Sequence, residues 1–396
     1  MLKSKRALPV AGAGFIVLVS FIYSLAGTIA IPVYPIFIKN LFNNPAYAGY
    51  FLSFVYFMIF SFILLSIYFL KKFDRWTLMK YSILLSGLSY FVLSLVTSVK
   101  ELVILEIFRT MAVAVNFVVT GLLIRDHSTR KNISKNEGFY FAIINISFFI
   151  GPIIGGYLAD AYSISKVFMI SSIFPLALFL FLVTKKNPRE EVDGVYTNIF
   201  SNIKDYFRNK DLALNYITAA GLLSWLTILY VYIPLFMYQN GLNEKTIGIF
   251  LACTVIPLII FEIPITKLRR YVGYRKLFFT GFLLIGLFGA ATFFFSDIYI
   301  KLLFFILTNL GIAAVEPLKE SYFFEVIRKK SDETRFYPIF KTSSDIGHLT
   351  GPLIFSTVLL FSNFNVMFLV ASIIMIGYGI LSLFLKEIKW SLLLNI

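Results

Sequence analysis

Of the 396 residues, 59% are hydrophobic and only 14% are charged. Soluble domains average about 45–50% apolar and roughly 25% charged, so this chain lacks the polar side chains to cover a globular surface, and an aromatic content of 18% excludes a disordered chain. With a mean hydropathy of +0.83, the few charges belong at the ends of long apolar segments, as in an integral membrane protein.

A net charge of +15 usually raises nucleic acid as a partner. Here the excess is better placed in loops that stay inside and face anionic lipid, so a lipid bilayer and no nucleic acid is expected. The single cysteine, Cys253, forms no internal disulfide. Without a CxxC or a His pair, no metal site and no cofactor are expected.

The first apolar run follows Lys3, Lys5 and Arg6 and extends from Ala7 to Ile31. The core of a signal peptide has about 7–15 residues, so this run reads as an uncleaved membrane helix. A helical span needs about 20 largely apolar residues. Twelve are expected, near 11–38, 46–70, 77–98, 101–124, 138–160, 164–184, 212–238, 246–266, 277–296, 300–323, 336–361 and 364–385. Barrel strands run about 9–11 residues with alternating polarity. These segments are longer and apolar on all sides, which predicts an all-α membrane protein.

Placing the N-terminus inside puts most of the 36 Lys and Arg in inner connections. The outer loops then hold Lys39, Lys100, Lys166, Lys245 and Lys301, while Arg109, Lys319 and Lys341 fall within spans. This obeys the positive-inside rule and predicts a multi-pass plasma-membrane protein with both termini cytoplasmic. The polar stretch between spans six and seven carries turn signals at Asn187-Pro188 and Asp193-Gly194. It divides the chain into an N-terminal bundle (1–186), a cytoplasmic linker (187–211) and a C-terminal bundle (212–396).

An internal repeat supports two bundles. Gly151-Pro152-Ile153-Ile154 recurs as Gly351-Pro352-Leu353-Ile354 at an offset of 200 residues, with Gly347 answering Ser147. The loop Lys71-Lys72-Phe73-Asp74-Arg75 is answered at an offset of 199 by Arg270, Gly273, Arg275 and Lys276. Six helices repeated twice imply two pseudo-symmetric six-helix bundles, with a site between them near the bilayer midplane. Gly151 and Gly155 allow close helix approach and Pro152 interrupts the hydrogen-bond ladder, so the fifth span reads as a hinge.

These motifs resemble the major facilitator superfamily, and within it the twelve-span drug:proton antiporters. The antiporter motif G-x8-G-x3-G-P-x2-G-G is met by Gly138, Gly151, Pro152, Gly155 and Gly156, with Ser147 replacing the second glycine. A first-span motif, l-g-x5-P-v-x-P, is met by Leu25, Pro32, Val33 and Pro35, with Ala26 for Gly. The fourth-span motif l-x3-R-x2-q-G retains Leu105 and Arg109 but has Ala112 and Val113 at its end. The loop motif G-x3-D-R-x-G-R-R departs: Lys71 and Arg270 stand at the two Asp positions, and Asp74 replaces a Gly that the second copy keeps as Gly273. Glu262 and Pro264 resemble the E-x-P pattern that introduces this loop. The resemblance implies alternating-access transport of a small molecule by a monomer, with proton coupling.

An ionisable group at membrane depth costs from about 2.5 kcal/mol upward, so each is a functional candidate. Arg109 lies about eight residues into the fourth span, roughly 12 Å deep, with Glu106 one turn away. It is a candidate for an anionic substrate group or a proton response; the alternative is a structural Arg. In the tenth span Glu316, Lys319 and Glu320 share a face, as do Lys341, Asp345 and His348 in the eleventh. Cross-pairing of Glu316 and Asp345 with Lys319 and Lys341 is expected. Glu316 or Asp345 is the candidate proton carrier, assisted by His348; the alternative is a static salt-bridge gate. Glu262 is expected to pair with the Arg269–Arg275 loop, while Asp126 and Asp160 read as ordinary helix-end residues. Among 45 Phe, 23 Tyr and 3 Trp, the polar-tipped Tyr23, Tyr34, Trp225 and Tyr232, with Asn116, are candidate pocket residues for an amphipathic substrate. Three functions compete: proton-coupled export of amphipathic compounds, a symporter or uniporter of a metabolite such as an organic anion or sugar, and a sensor that has lost transport. No nucleophile–base set, phosphate loop or metal cluster points to an enzyme.

Overall fold

A computed structural model of the protein describes residues 12–127, 133–185, 199–327 and 330–387. The basic cluster Lys3, Lys5 and Arg6 and the turn signals at 187–188 and 193–194 lie outside the described residues. Among those described, the regular structure is helical. In chain order the helices are α1 (Ala13–Ala30), α2 (Tyr34–Phe42), α3 (Pro45–Lys72), α4 (Arg75–Leu93), α5 (Val99–Asp126), α6 (Ile133–Ala161) and α7 (Ile164–Val183). There follow α8 (Ile199–Arg208), α9 (Lys210–Thr227), α10 (Ile233–Gln239), α11 (Glu244–Val272), α12 (Tyr274–Ala291), α13 (Ile298–Val326), α14 (Lys330–Phe361) and α15 (Phe364–Ser382).

All twelve expected spans are helical, and two are interrupted. The first breaks at Ile31–Val33, so that α1 and α2 meet at 42°; Pro32 and Pro35 remove backbone donors there. The seventh runs from α9 to α10 through a π turn at Ile228–Tyr232, ahead of Pro234, which has no N–H for the carbonyl of Tyr230. Among the described residues, ten helices are long and apolar enough to cross a membrane, and the bent α1–α2 pair makes an eleventh. The one expected span left over, the third (α4), falls short because Arg75, Lys80 and three serines dilute its apolar content. Two of those serines bond to neighbouring spans: Ser86 Oγ lies 2.9 Å from Tyr23 Oη, and Asn116 Nδ2 donates to Ser82 Oγ at 3.2 Å.

Helix ends are set by local side chains. Asp74 caps α4 by accepting from Thr77 N at 2.9 Å, Asp297 caps α13 from Ile300 N at 2.9 Å, and Asn363 caps α15 from Val366 N at 3.1 Å. At the position answering Asp74, Gly273 precedes α12 with φ +83°, where a Cβ would be strained.

The chain divides into two compact units. One holds the described residues of Met1–Phe37, Met58–Gly194 and Asn243–Ile249. Its core is built by Ile16 and Val19 of α1, Met79 and Ile83 of α4, Val119 and Leu123 of α5, and Leu182 of α7. The other holds the described residues of Ile38–Phe57, Val195–Leu242 and Phe250–Ile396, with α9 packed on α14 and α12 on α13 and α15. The expected split at the 187–211 linker changes in two ways. The first half of α3 packs with the second unit and the start of α11 with the first, and residues 199–208 of the linker form α8, which buries Tyr206. The apolar side chains left exposed, such as Ile104, Leu180, Ile259 and Ile373, suit helices whose outer surface meets lipid.

Candidate functional site

Two charged clusters and one glycine seam, present twice, make up the site candidates. In the first unit, Glu106 and Arg109 lie one turn apart on α5. Arg109 Nε donates to both Glu106 oxygens, at 2.8 and 2.9 Å, and Nη2 lies 2.7 Å from Oε2. Tyr34 closes the group: its hydroxyl donates to Glu106 Oε1 at 2.6 Å, accepts from Arg109 Nη2 at 3.1 Å, and its ring lies 5.0 Å from the guanidinium carbon. Glu106 is fully buried. Glu106 and Arg109 thus form a local ion pair. Arg109 and Tyr34, however, read from sequence as substrate contacts, are engaged with Glu106 and with each other. Asn116 is similarly committed, to Ser82 and to Thr120, which donates to its Oδ1 at 3.4 Å, and Tyr23 to Ser86.

In the second unit, Lys319 Nζ donates to Glu316 Oε2 at 2.9 Å within α13. Lys341 of α14 reaches across to Glu320, whose Oε1 also accepts from Tyr337 Oη at 2.7 Å. The expected cross-pairing of Glu316 and Asp345 with Lys341 and Lys319 between the two helices is therefore corrected. Lys319 takes the carboxylate one turn away on its own helix, and Lys341 takes Glu320, which Tyr337 holds. Asp345 is left with no hydrogen bond or ion pair among the described residues. His348, one turn further along α14, stacks on Tyr56 of α3 at 4.8 Å and 13° between ring planes, and its buried Nδ1 has no partner among the described residues. Asn215 of α9 donates to the Lys319 carbonyl at 2.9 Å, while its buried Oδ1 is likewise unmatched among the described residues.

Two expected pocket residues are core residues instead. Trp225 has no exposed surface and packs where a Cβ on Gly289 would lie 2.6 Å from its ring. Tyr232, also fully buried, donates to the Pro352 carbonyl at 2.9 Å and lies 2.8 Å from Ser356 Oγ. Glu262 is half-buried on α11. In the Arg269–Arg275 segment expected to pair with it, Arg269 forms an ion pair with Glu325 at 3.3 Å, with Tyr274 between them: Tyr274 Oη accepts from Arg269 and donates to Glu325 at 2.7 Å.

The repeated motif brings helix pairs together in the same way in each unit. A Cβ on Gly151 would run into Thr28 Oγ1 of α1, and one on Gly351 would lie 2.7 Å from Thr227 Oγ1 of α9. Thr28 and Thr227 are 199 residues apart. Ser147 bonds Ser24 across the first seam at 2.7 Å, and Gly347 abuts Ala220 and Leu223 in the second. Gly155 lies against the Ile29 carbonyl, and a Cβ on Gly156 would lie 3.0 Å from Gly248 Cα. Both Pro152 and Pro352 sit inside unbroken helices. The surroundings of Gly138 and the side chains of Lys71 and Arg270 lie outside the described residues. In the loop motifs, Lys72, Arg275 and Lys276 are exposed, Asp74 acts as a cap, and Arg75 pairs with Asp126.

This last pair was missed in the sequence. Asp126 closes α5 and Glu325 closes α13, 199 residues later; Asp126 holds Arg75 at the start of α4 and Glu325 holds Arg269 near the end of α11, two arginines that do not themselves share the offset. The signal was the offset itself.

The family model described as Major Facilitator Superfamily matches residues 16–244 and 226–391. The chain belongs to the Major Facilitator Superfamily. The Major Facilitator Superfamily is a family of membrane transporters, not enzymes, and this chain has its all-helical membrane fold. An uncharacterized MFS-type transporter of Methanocaldococcus jannaschii is 24% identical over 195 residues, covering 47% of this chain and 50% of that protein; the match thus spans about half the relative's length. Among solved structures, the nucleoside transporter NupG superposes with a TM-score of 0.76 at 12% identity, over 94% of this chain and 98% of that one. A POT family transporter in complex with a thioalcohol-conjugated peptide gives 0.76 at 11%, over 93% and 94%. A bacterial homolog of the human lysosomal transporter Spinster gives 0.70 at 11%, over 95% of each chain. At these identities the likeness is one of fold.

Proposed function

We propose that the protein is a proton-coupled secondary transporter that exports amphipathic small molecules across the plasma membrane, with Asp345 as the proton-binding group and both termini cytoplasmic. The observation that carries this reading is the unpaired Asp345. The other charges of its cluster cancel locally, Lys319 with Glu316 and Lys341 with Glu320. Protonating either glutamate would strand a lysine, whereas protonating Asp345 breaks no ion pair among the described residues. His348, with its unmatched Nδ1 one turn away, is the group placed to assist. Resemblance of the α6 glycine run to drug:proton antiporters supports export. The organic-anion alternative leaned on Arg109, whose guanidinium is taken up by Glu106 and Tyr34.

The test is reconstitution into liposomes with an imposed pH gradient, an internal pH dye, and a panel of amphipathic and metabolite compounds. Compound-triggered proton movement and uphill accumulation are expected in the natural chain. Asp345→Asn is expected to abolish uphill accumulation while downhill exchange survives. Undiminished uphill transport by Asp345→Asn would overturn the assignment of Asp345, and compound flux that ignores the pH gradient would overturn the coupling.

A further inference from the structure

α8 takes no part in the charged clusters described above, yet each side of this ten-residue helix has a different chemistry. Asn202 and Tyr206, one turn apart, are buried. Tyr206 donates to the Leu212 carbonyl at 3.2 Å and packs edge-on against Phe336 and Tyr216, with centroids 5.7 and 6.1 Å away. Arg335 of α14 clamps the same side: Nε donates to Asn202 Oδ1 at 2.9 Å and Nη2 to Asp205 Oδ2 at 2.8 Å. These contacts fix the rotation of α8 about its axis.

With the rotation fixed, 3.6 residues per turn order the remaining sides. Ile203 and Phe207 follow the buried edge and are 38% and 44% exposed. Lys204 and Arg208 come next and are exposed, as is Lys210 at the start of α9. Lys210 Nζ lies 6.0 Å from the exposed ring of Phe384. The acidic groups nearby are committed: Asp205 to Arg335, and Asp211 to the backbone N–H of Lys386 at 3.0 Å. Among the described residues, Lys204, Arg208 and Lys210 have no carboxylate partner.

The apolar side chains Ile203 and Phe207 gain nothing from exposure to water. In a membrane interface the apolar and basic stripes separate: apolar side chains enter the acyl boundary and ammonium and guanidinium groups meet headgroup phosphates. We propose that α8 is an interfacial helix that binds anionic phospholipid headgroups through Lys204, Arg208 and Lys210 and seats Ile203 and Phe207 in the acyl boundary. Charge complementarity selects anionic lipid over zwitterionic lipid. The site is tied by Arg335 to α14, the helix that carries Lys341, Asp345 and His348. It stands independently of the proton-coupling assignment, since it needs only the spans and this helix.

The test places the full chain, carrying Phe207→Trp, in nanodiscs of phosphatidylcholine and phosphatidylglycerol with bromine on the acyl chains of one lipid at a time. The readout is quenching of the added tryptophan over the three already present. Stronger quenching by brominated phosphatidylglycerol is expected at equal mole fraction. The preference is expected to fall by about fivefold for each charge removed in K204Q, K204Q/R208Q and K204Q/R208Q/K210Q. Equal quenching by both lipids in all chains overturns headgroup binding. No quenching by either lipid puts the face in water or under a soluble partner and overturns the interfacial seat. A second measurement leaves Phe207 intact: native mass spectrometry of phosphatidylglycerol retained by the natural chain and by the triple variant. Equal retention overturns the proposal as well.

Discussion

Replacing Glu106 by Gln keeps the side-chain volume and removes the charge that Arg109 faces. The pair is well shielded: the Glu106 side chain is 0% exposed and that of Arg109 13%. Removing one partner of a buried pair costs about 3–5 kcal/mol, because it strands the other charge. The short contacts at 2.6–2.9 Å from Tyr34 Oη and Arg109 Nε put this site in that range for E106Q, and equally for R109Q, which strands the carboxylate. In E106Q/R109Q both positions are neutral amides and neither charge is stranded, so the double variant should cost less than the sum of the singles by about 3 kcal/mol, at the top of the usual coupling range. The assay is reversible unfolding in mixed detergent micelles, followed by tryptophan fluorescence, for all four corners of the cycle. If each single variant costs less than about 1 kcal/mol, or the double costs the sum, the triad is not the closed unit its geometry describes. Compound transport by E106Q/R109Q in liposomes separates the roles: activity kept with stability restored makes Arg109 structural, and activity lost with stability restored returns it to the transport site.

Two further outcomes use the same unfolding assay. Gly151→Val and Gly351→Val should each destabilise by about 1–3 kcal/mol through overpacking against Thr28 and Thr227, whereas Gly121→Val, with nothing within 4 Å of its added Cβ, should change little. Gly273→Ala should cost about 1–3 kcal/mol, since φ +83° with ψ 162° is backbone that essentially only glycine adopts; the penalty should persist in G273A/E387A, where the overlap with the Glu387 carboxylate is relieved and the backbone strain is not.

The helices were legible because length and apolar content alone make a span, and all twelve expected segments are helical. Interruptions were legible only where proline marks them: Pro32 and Pro35 flag the α1–α2 bend, while the π turn at Ile228–Tyr232 has only Pro234 beyond it. A contact along one helix was within reach of spacing for Glu106 and Arg109, whereas Glu316 and Lys319, read as sharing a face, were expected to pair across helices and pair along one instead. Contacts between helices could not, because periodicity gives a face but not its neighbour. Lys341 has Asp345 one turn away on its own helix yet pairs with Glu320, which Tyr337 holds from the side. Trp225 and Tyr232 carry polar tips that suit a pocket, and only packing shows that both are enclosed. The repeat offset of 199–200 residues was the most informative feature, and it extends further, to Thr28 with Thr227 and Asp126 with Glu325.

The local pairing of charge has an electrical consequence. A single charge carried across a membrane does about 2.3 kcal/mol of work per 100 mV. Glu106 with Arg109 on α5 and Glu316 with Lys319 on α13 are each a neutral couple within one helix, so neither couple adds work when its helix moves through the membrane field. Asp345 has no such companion. On the assignment proposed above, a proton bound at Asp345 changes the net charge of α14, so membrane voltage would act differently on that helix before and after protonation.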